Sequence, residues 1–224
     1  MKTFFSQLAF VYFRTFKNIL IENKWFFLGI CDWIILGVLL QMWFSQFELT
    51  LAINSIHNGF RDLLFKYLTF AGDGLFALAL LIFIFIWNRK YLFSALLCFY
   101  IPSLITQLFK HFIFSDEFRP AILMKDFSQL HYVDGEYINI LNSFPSGHAT
   151  DAFAIATFFS IVVKNKKWQP LFLILAVLVA ISRVYLLQHF FRDVFAGSVI
   201  GVLTGTFIFA AFRLFFQKKD ITDF

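Results

Sequence analysis

Residues 168–187 read WQPLFLILAVLVAISRVYLL and residues 194–216 read VFAGSVIGVLTGTFIFAAFRLFF, with only QHFFRD between them. A helix needs about 20 residues to cross the hydrocarbon core of a bilayer, within a range of about 17–25. Both runs meet that length, and the joint between them carries His189 and Asp193. Four further apolar runs precede them: Trp25–Phe44, Gly74–Trp87, Tyr91–Phe109 and Ala149–Val163. The reading is an all-α fold, a six-span transmembrane helical bundle over residues 25–44, 74–87, 91–109, 149–163, 168–187 and 194–216 of one domain, 1–224. The second and fourth runs are short for a full crossing, and the Gly- and Pro-containing turns before them are expected to be buried in the bundle.

Composition points the same way. Of 224 residues, 60% are hydrophobic and 15% charged, against about 45–50% and about 25% in soluble domains. The mean hydropathy of +0.75 agrees. Such a chain lacks the polar surface to cover a soluble globule. The net charge of +5 falls between apolar runs, where it sets topology rather than attracting nucleic acid. Cys31 and Cys98 both lie inside apolar runs and suggest neither a disulfide framework nor a metal site.

Lys and Arg give the orientation. One side of the layout receives Lys2, Arg14, Lys17, Lys24, Arg89, Lys90, Lys164, Lys166, Lys167, Arg213, Lys218 and Lys219, twelve in all. The other receives Arg61, Lys66, Lys110, Arg119, Lys125, Arg183 and Arg192, seven in all. The positive-inside rule then places both termini in the cytoplasm of a multi-pass inner (cytoplasmic) membrane protein.

Residues 1–24 read as an interfacial amphipathic helix. Phe4, Leu8, Val11, Tyr12 and Ile19 recur at helical spacing beside Arg14 and Lys17, the pattern of a helix lying in the membrane surface. Gln7, Arg14, Lys17 and Asn18 interrupt any signal-peptide core. Ser45–Asp73 mixes polar and apolar residues and suits a path along the membrane surface. A long extracytoplasmic loop, Lys110–Pro145, joins spans three and four; within it Asp134-Gly135 stands between short alternating stretches, a hairpin signal.

Ionisable groups gather at span ends: Lys110 closes the third run, Pro145-Ser146-Gly147-His148 opens the fourth, Ser182-Arg183 nears the end of the fifth, and His189 and Asp193 precede the sixth. In an alternating bundle these four ends share one membrane face. Lys110, Arg119 and Arg183 are cations, two with a planar fork that matches phosphate oxygens. Ser146 suits a helix N-cap, where free N–H groups attract anions, and Gly147 lets backbone approach a ligand closely. His189 and Asp193, spaced i, i+4, share a face if the helix begins that early. A carboxylate on one ring nitrogen fixes the tautomer and leaves the other free to attack, and His148 is placed to act as general acid.

Taken singly, each residue has an ordinary explanation. A Lys or Arg at a span end snorkels to the interface, a Ser before a helix caps it, and His-x-x-x-Asp occurs by chance. Asp151 reads first as a polar residue of the bundle that could also hydrogen-bond His148. His57, His111 and His131 form no metal-ligand spacing. It is the convergence of the others on one face that argues for a site.

These residues resemble the type 2 phosphatidic acid phosphatases, whose active-site pattern is shared with vanadium haloperoxidases and glucose 6-phosphatase. The family's motifs are Lys-x6-Arg-Pro, Pro-Ser-Gly-His and Ser-Arg-x5-His-x3-Asp. The second is present unchanged at Pro145–His148, and the third runs from Ser182-Arg183 through His189 to Asp193. The first departs, with eight residues between Lys110 and Arg119-Pro120. The resemblance implies that His189 is the nucleophile, Asp193 orients it, and His148 protonates the departing alcohol. It also implies that Lys110, Arg119, Ser146, Gly147 and Arg183 hold the phosphate.

The expected function is metal-independent, cofactor-free hydrolysis of a lipid phosphate at the outer face of the membrane, through a phosphohistidine. Its partners are a membrane lipid phosphate substrate and the bilayer, with no nucleic acid and no metal. Two alternatives stand beside it: phosphotransfer from the same intermediate to another acceptor, and a non-catalytic lipid-binding or transport relative. A haloperoxidase is disfavoured, those relatives being soluble.

Overall fold

The computed structural model of the chain describes residues 2–126, 128–137 and 139–217. Among these residues the protein is all helical, with no strand. In chain order the helices are α1 (Lys2–Glu22), α2 (Lys24–Trp43), α3 (Gln46–Asn54), α4 (Gly59–Leu68), α5 (Gly74–Asn88) and α6 (Leu92–Phe112). There follow α7 (Pro120–Leu123), α8 (Gly147–Val162), α9 (Gln169–Tyr185) and α10 (Phe191–Gln217). A 3-10 turn, Thr69–Gly72, joins α4 to α5, and another, Arg89–Tyr91, joins α5 to α6.

Each apolar run of the sequence becomes a helix. Four stretches are long and apolar enough to cross a membrane: Lys24–Trp43, Gly74–Phe112, Lys166–Tyr185 and Phe191–Phe215. The second, at 39 residues, comprises α5 and α6, which fold back against each other through the 89–91 turn. α8 is apolar but only 16 residues long. Large side chains such as Ile35, Leu36, Ile82 and Ile86 face outward on α2 and α5. A helix apolar all round belongs in a core or a bilayer, and the chain is an integral membrane protein.

The bundle is organised around α8, which packs on α10, α9 and α6. Small residues permit the approach. A methyl on Gly197 would lie 2.5 Å from the Ser146 carbonyl oxygen, and one on Gly201 would lie 2.3 Å from that of Thr150. Gly197, Gly201 and Gly205 therefore form a small-xxx-small stripe that brings α10 against the backbone of α8. Where α8 ends, the Lys166 ammonium donates to the Ser160 and Ile161 carbonyls (both 3.0 Å) and to Asn23 Oδ1 (2.7 Å). A cation on the last carbonyls of a helix also complements its dipole.

α1 packs on α10. The Tyr12 hydroxyl donates to the Phe207 carbonyl (2.9 Å), Phe16 stacks on Phe207, Ile19 is fully buried and Arg213 pairs with Glu22 (2.8 Å). Arg14, Lys17 and Val11 point outward. Of the expected apolar stripe, Tyr12 and Ile19 thus face the bundle and Val11 does not; the side chains of Phe4 and Leu8 lie outside the described residues, as do Lys218 and Lys219.

The expected hairpin is not formed. Gly135 does take a left-handed φ of 75° in a turn closed by Glu136 N to Val133 O (3.3 Å), but among the described residues the flanks do not pair. The His131 amide donates to Asn54 Oδ1, the His131 carbonyl accepts from Asn54 Nδ2 (both 2.8 Å), and Lys66 Nζ donates to the Asp134 carbonyl (2.5 Å). The Asn54 side chain of α3 takes the His131 backbone groups that a hairpin would have used. Ile138, in the same stretch, lies outside the described residues.

Candidate active site

The α9–α10 joint builds the floor of the site. α9 ends with Leu186 N bonded to the Ser182 carbonyl (2.9 Å), and Leu187 turns the chain at φ 57°. The amides of Gln188 and His189 then both donate to the Arg183 carbonyl, at 2.9 and 3.2 Å. The backbone of His189 is thereby fixed beside Arg183, and the residue is 1% exposed.

α10 begins at Phe191, so His189 precedes the helix rather than sharing a helical face with Asp193, as the spacing had suggested. A turn brings them together: the Phe190 amide donates to Asp193 Oδ2 (2.9 Å). His189 Nδ1 stands 3.6 Å from the same oxygen, an ion-pair distance beyond hydrogen-bond range. Oδ2 also accepts from Ser143 Oγ (2.5 Å), and Oδ1 from Arg192 Nε (3.3 Å). Among the described residues Nδ1 has no hydrogen-bond partner. Burial, reinforced by the charges of Lys110, Arg119, Arg183 and His148, holds the His189 imidazole well below its ordinary pKa. It is neutral at pH 7 and so able to attack.

Three cations enclose this floor, none more than 7% exposed: Lys110, Arg119 and Arg183. Arg119, at the N-cap of α7, is clamped by the main chain. Its Nε donates to the Leu141 carbonyl (3.0 Å), Nη1 to the Gln188 carbonyl and side-chain oxygen (both 3.0 Å), and Nη2 to the Asn142 carbonyl (3.4 Å). Burial lowers its pKa to about 10, opposed by the charge of Asp193; it remains a cation at pH 7. Arg183 donates from Nη1 to Thr69 Oγ1 (2.7 Å), while its buried Nε has no partner among the described residues. Lys110, in the last turn of α6, lies within electrostatic reach of Arg119, Arg183, Asp193 and Asp151. Three buried cations against the buried carboxyls of Asp193 and Asp151 leave this end of the bundle with net positive charge, complementary to a dianionic phosphate.

The N-terminus of α8 completes the wall. Ser146 caps it, accepting from Ala149 N (3.4 Å), and its own amide donates to the Asp193 carbonyl (2.9 Å). A methyl added to Gly147 would meet nothing nearer than Gln107 Nε2, at 3.9 Å, so the first turn is uncrowded at that position. His148 follows, half-buried, its backbone against Gly72 of the 69–72 turn.

All eight residues singled out in the sequence therefore meet at one end of the bundle. The longer spacing between Lys110 and Arg119 is spanned by the end of α6 and a turn in which Phe114 N bonds the Phe109 carbonyl (2.9 Å). Ser143, Gln188 and Thr69, which fasten Asp193, Arg119 and Arg183, were not identifiable beforehand, except that Gln188 directly precedes His189. Asp151 interacts with Ser103 rather than His148, and its Oδ1 has no partner among the described residues. His131 stacks on His57 with ring centroids 4.1 Å apart, and its Nε2 sits 3.0 Å from Asp62, to which Tyr185 also donates.

The family model of the PAP2 superfamily matches residues 89–217. Over 124 residues the chain is 31% identical to the bacitracin transport permease protein BcrC of Bacillus licheniformis, covering 54% of this chain and 56% of that protein. Over 123 residues it is 28% identical to the lipid A 4'-phosphatase of Porphyromonas gingivalis, covering 54% of this chain and 49% of that one. The chain thus spans about half the length of these two relatives. In three dimensions it resembles the crystal structure of Aquifex aeolicus LpxE with a TM-score of 0.65 and 30% identity, covering 72% of this chain and 93% of that one.

Proposed function

The chain belongs to the PAP2 superfamily, and on that premise we propose that it hydrolyses the phosphate of a membrane lipid through a phosphohistidine. One observation carries the reading: neutral, buried His189 stands beside Asp193 inside a ring of three buried cations. The name of the Porphyromonas gingivalis relative supports a lipid phosphate as the substrate class.

In this reading Arg183, Lys110, the Ser146 hydroxyl, the Gly147 amide and Arg119 hold the non-bridging phosphate oxygens. Preorganised positive charge of this kind is the larger part of catalysis in phosphoryl transfer. Nε2 of His189 attacks phosphorus, and the bond from phosphorus to the lipid oxygen breaks with its electron pair on that oxygen. His148, protonated once the negative charge of the bound phosphate offsets the cations, gives it that proton. Asp193 stabilises the imidazolium formed on His189. Water, losing a proton to His148, then attacks the phosphohistidine; inorganic phosphate leaves and both histidines return to their starting states. No step calls on a metal.

The same reading takes α2, α5, α6, α8, α9 and α10 as six spans, α1 as the interfacial helix, both termini as cytoplasmic and the site as facing outward. Twelve Lys and Arg against seven support that orientation. The test is phosphate release by the detergent-solubilised protein from phosphatidate, phosphatidylglycerol phosphate, polyprenyl diphosphate and lipid A, with and without EDTA. Release from at least one of them, unchanged by EDTA, is expected. Failure on all of them, or loss in EDTA, overturns the reading.

A further inference from the structure

Of the seven Lys and Arg residues that the charge count sets on one side of the layout, Lys110, Arg119 and Arg183 enter the candidate site. Arg192 is a fourth with a task there. Its Nε donates to Asp193 Oδ1 (3.3 Å) and its Nη2 to Glu117 Oε2 (2.5 Å). The guanidinium also lies over the Phe190 ring, 5.8 Å from the centroid, and the Arg192 amide donates to Gln46 Oε1 (2.8 Å). Amide and guanidinium are both held. One planar fork thus joins two carboxylates, a geometry that a lysine ammonium does not reproduce.

Glu117 reaches Asp193 by a second route. Its carbonyl accepts from the Ser143 amide (3.0 Å), and Ser143 Oγ donates to Asp193 Oδ2 (2.5 Å). Side chain and main chain of one residue therefore lead to the two oxygens of one carboxylate. Two residues further on, the Arg119 amide donates to the Ile140 carbonyl (3.0 Å), so segments 117–119 and 140–143 are clipped together beside the site. The Asp193 side chain is 0% exposed, whereas those of Arg192 and Glu117 are 41% and 36% exposed. A surface ion pair thus ends on a buried carboxylate.

The last torsion of an aspartate side chain is broad and roughly two-fold, so nothing intrinsic to Asp193 decides which oxygen faces His189. Oδ2 faces it, 3.6 Å from Nδ1. With Ser143 and the Phe190 amide on Oδ2 and the fork on Oδ1, rotation of the carboxylate breaks bonds at both oxygens. We propose that Arg192 and Glu117 are positioning residues for the nucleophile: Arg192 fixes the carboxylate plane of Asp193, and Glu117 anchors Arg192. The inference rests on the reading of His189 as the nucleophile that Asp193 supports. Neither residue makes or breaks a bond in the reaction; both act on turnover through Asp193. An ion pair this exposed adds little to stability, so its effect is read in kcat rather than in folding.

The experiment uses the full chain in detergent, with whichever of the four lipid phosphates named above the wild type hydrolyses fastest. Arg192→Ala should lower kcat about tenfold, the low end for a hydrogen bond to a charged group, with KM nearly unchanged. Glu117→Gln should lower kcat about threefold, the scale of an exposed ion pair, with Tm close to that of the wild type. The double variant should be no slower than Arg192→Ala alone, because Glu117 acts through Arg192. Arg192→Lys, which keeps the charge without the fork, should recover little of the rate. Losses that multiply in the double variant, full recovery by Lys, or a loss carried by KM overturns the proposal. If Arg192→Ala does not fold, Glu117→Gln decides alone: an unchanged kcat, or a fall matched by a clear drop in Tm, overturns it. A wild type that hydrolyses none of the four overturns the reading beneath, and this inference with it.

Discussion

Ser143 Oγ donates to Asp193 Oδ2 at 2.5 Å, so the carboxylate behind His189 is held by a hydroxyl from the loop before α8. A hydrogen bond to a charged group contributes about 1.5–3 kcal/mol. Ser143→Ala should therefore reduce kcat by roughly ten- to a hundredfold while leaving KM nearly unchanged. Steady-state kinetics on one lipid phosphate separates the two, and an unaltered kcat would show that Asp193 needs no such support.

His189→Ala should abolish turnover in a protein that still folds. With labelled phosphate as donor, acid-labile, alkali-stable label should appear on the wild-type chain and not on the variant. Substantial phosphatase activity in the variant would rule out His189 as nucleophile.

The acid limb of the kcat/KM profile should respond to Arg119. Attack requires neutral His189, and burial with the surrounding cations favours that neutral form. Its pKa in the folded protein lies below the ordinary value of about 6.5, so activity should persist below that pH and fall as pH drops through the depressed value. Arg119→Gln removes one of those cations, which raises the His189 pKa and moves the limb to higher pH. Using one substrate for both proteins cancels the substrate's own titration; a limb that stays in place counts against the electrostatic coupling.

Gly201→Ala should cost far more than Gly205→Ala. The first would put a methyl 2.3 Å from the Thr150 carbonyl oxygen, which the α8 backbone cannot yield cheaply, whereas the second places it in ordinary contact, 3.6 Å from Thr157 Cβ. Overpacking of this kind costs about 1–3 kcal/mol. Thermal melts in detergent should show a clear drop in Tm for the first variant and little for the second. Equal melting would mean that α10 does not depend on the stripe.

Much of the bundle was legible in the sequence because apolar length and end-capping are local properties. The run placed at 25–44 is the helix Lys24–Trp43, and Ser146 caps α8 as its position suggested. His189 illustrates the limit. Its distance to Asp193 in sequence matched a helix, but the chain instead uses a turn at Leu187 and starts α10 at Phe191. The hairpin expected at Asp134-Gly135 is absent among the described residues for a related reason: Asn54, distant in sequence, takes the backbone groups of His131. Thr69 and Ser143 could not be singled out, because a hydroxyl gains its role only from the charged group that tertiary packing sets opposite it. Neither lies within any of the three motifs.

The join between the two ends that matter most, Ser146 N to Asp193 O, consists of main chain alone. Apart from proline, which has no N–H to donate, no residue at position 146 can remove the donor, and none at 193 can remove the acceptor. The anion-binding turn and the histidine loop are therefore gauged against each other by a fixture that mutation scarcely touches. The side chains around it can be remodelled over evolutionary time while the separation of the two chain segments stays the same.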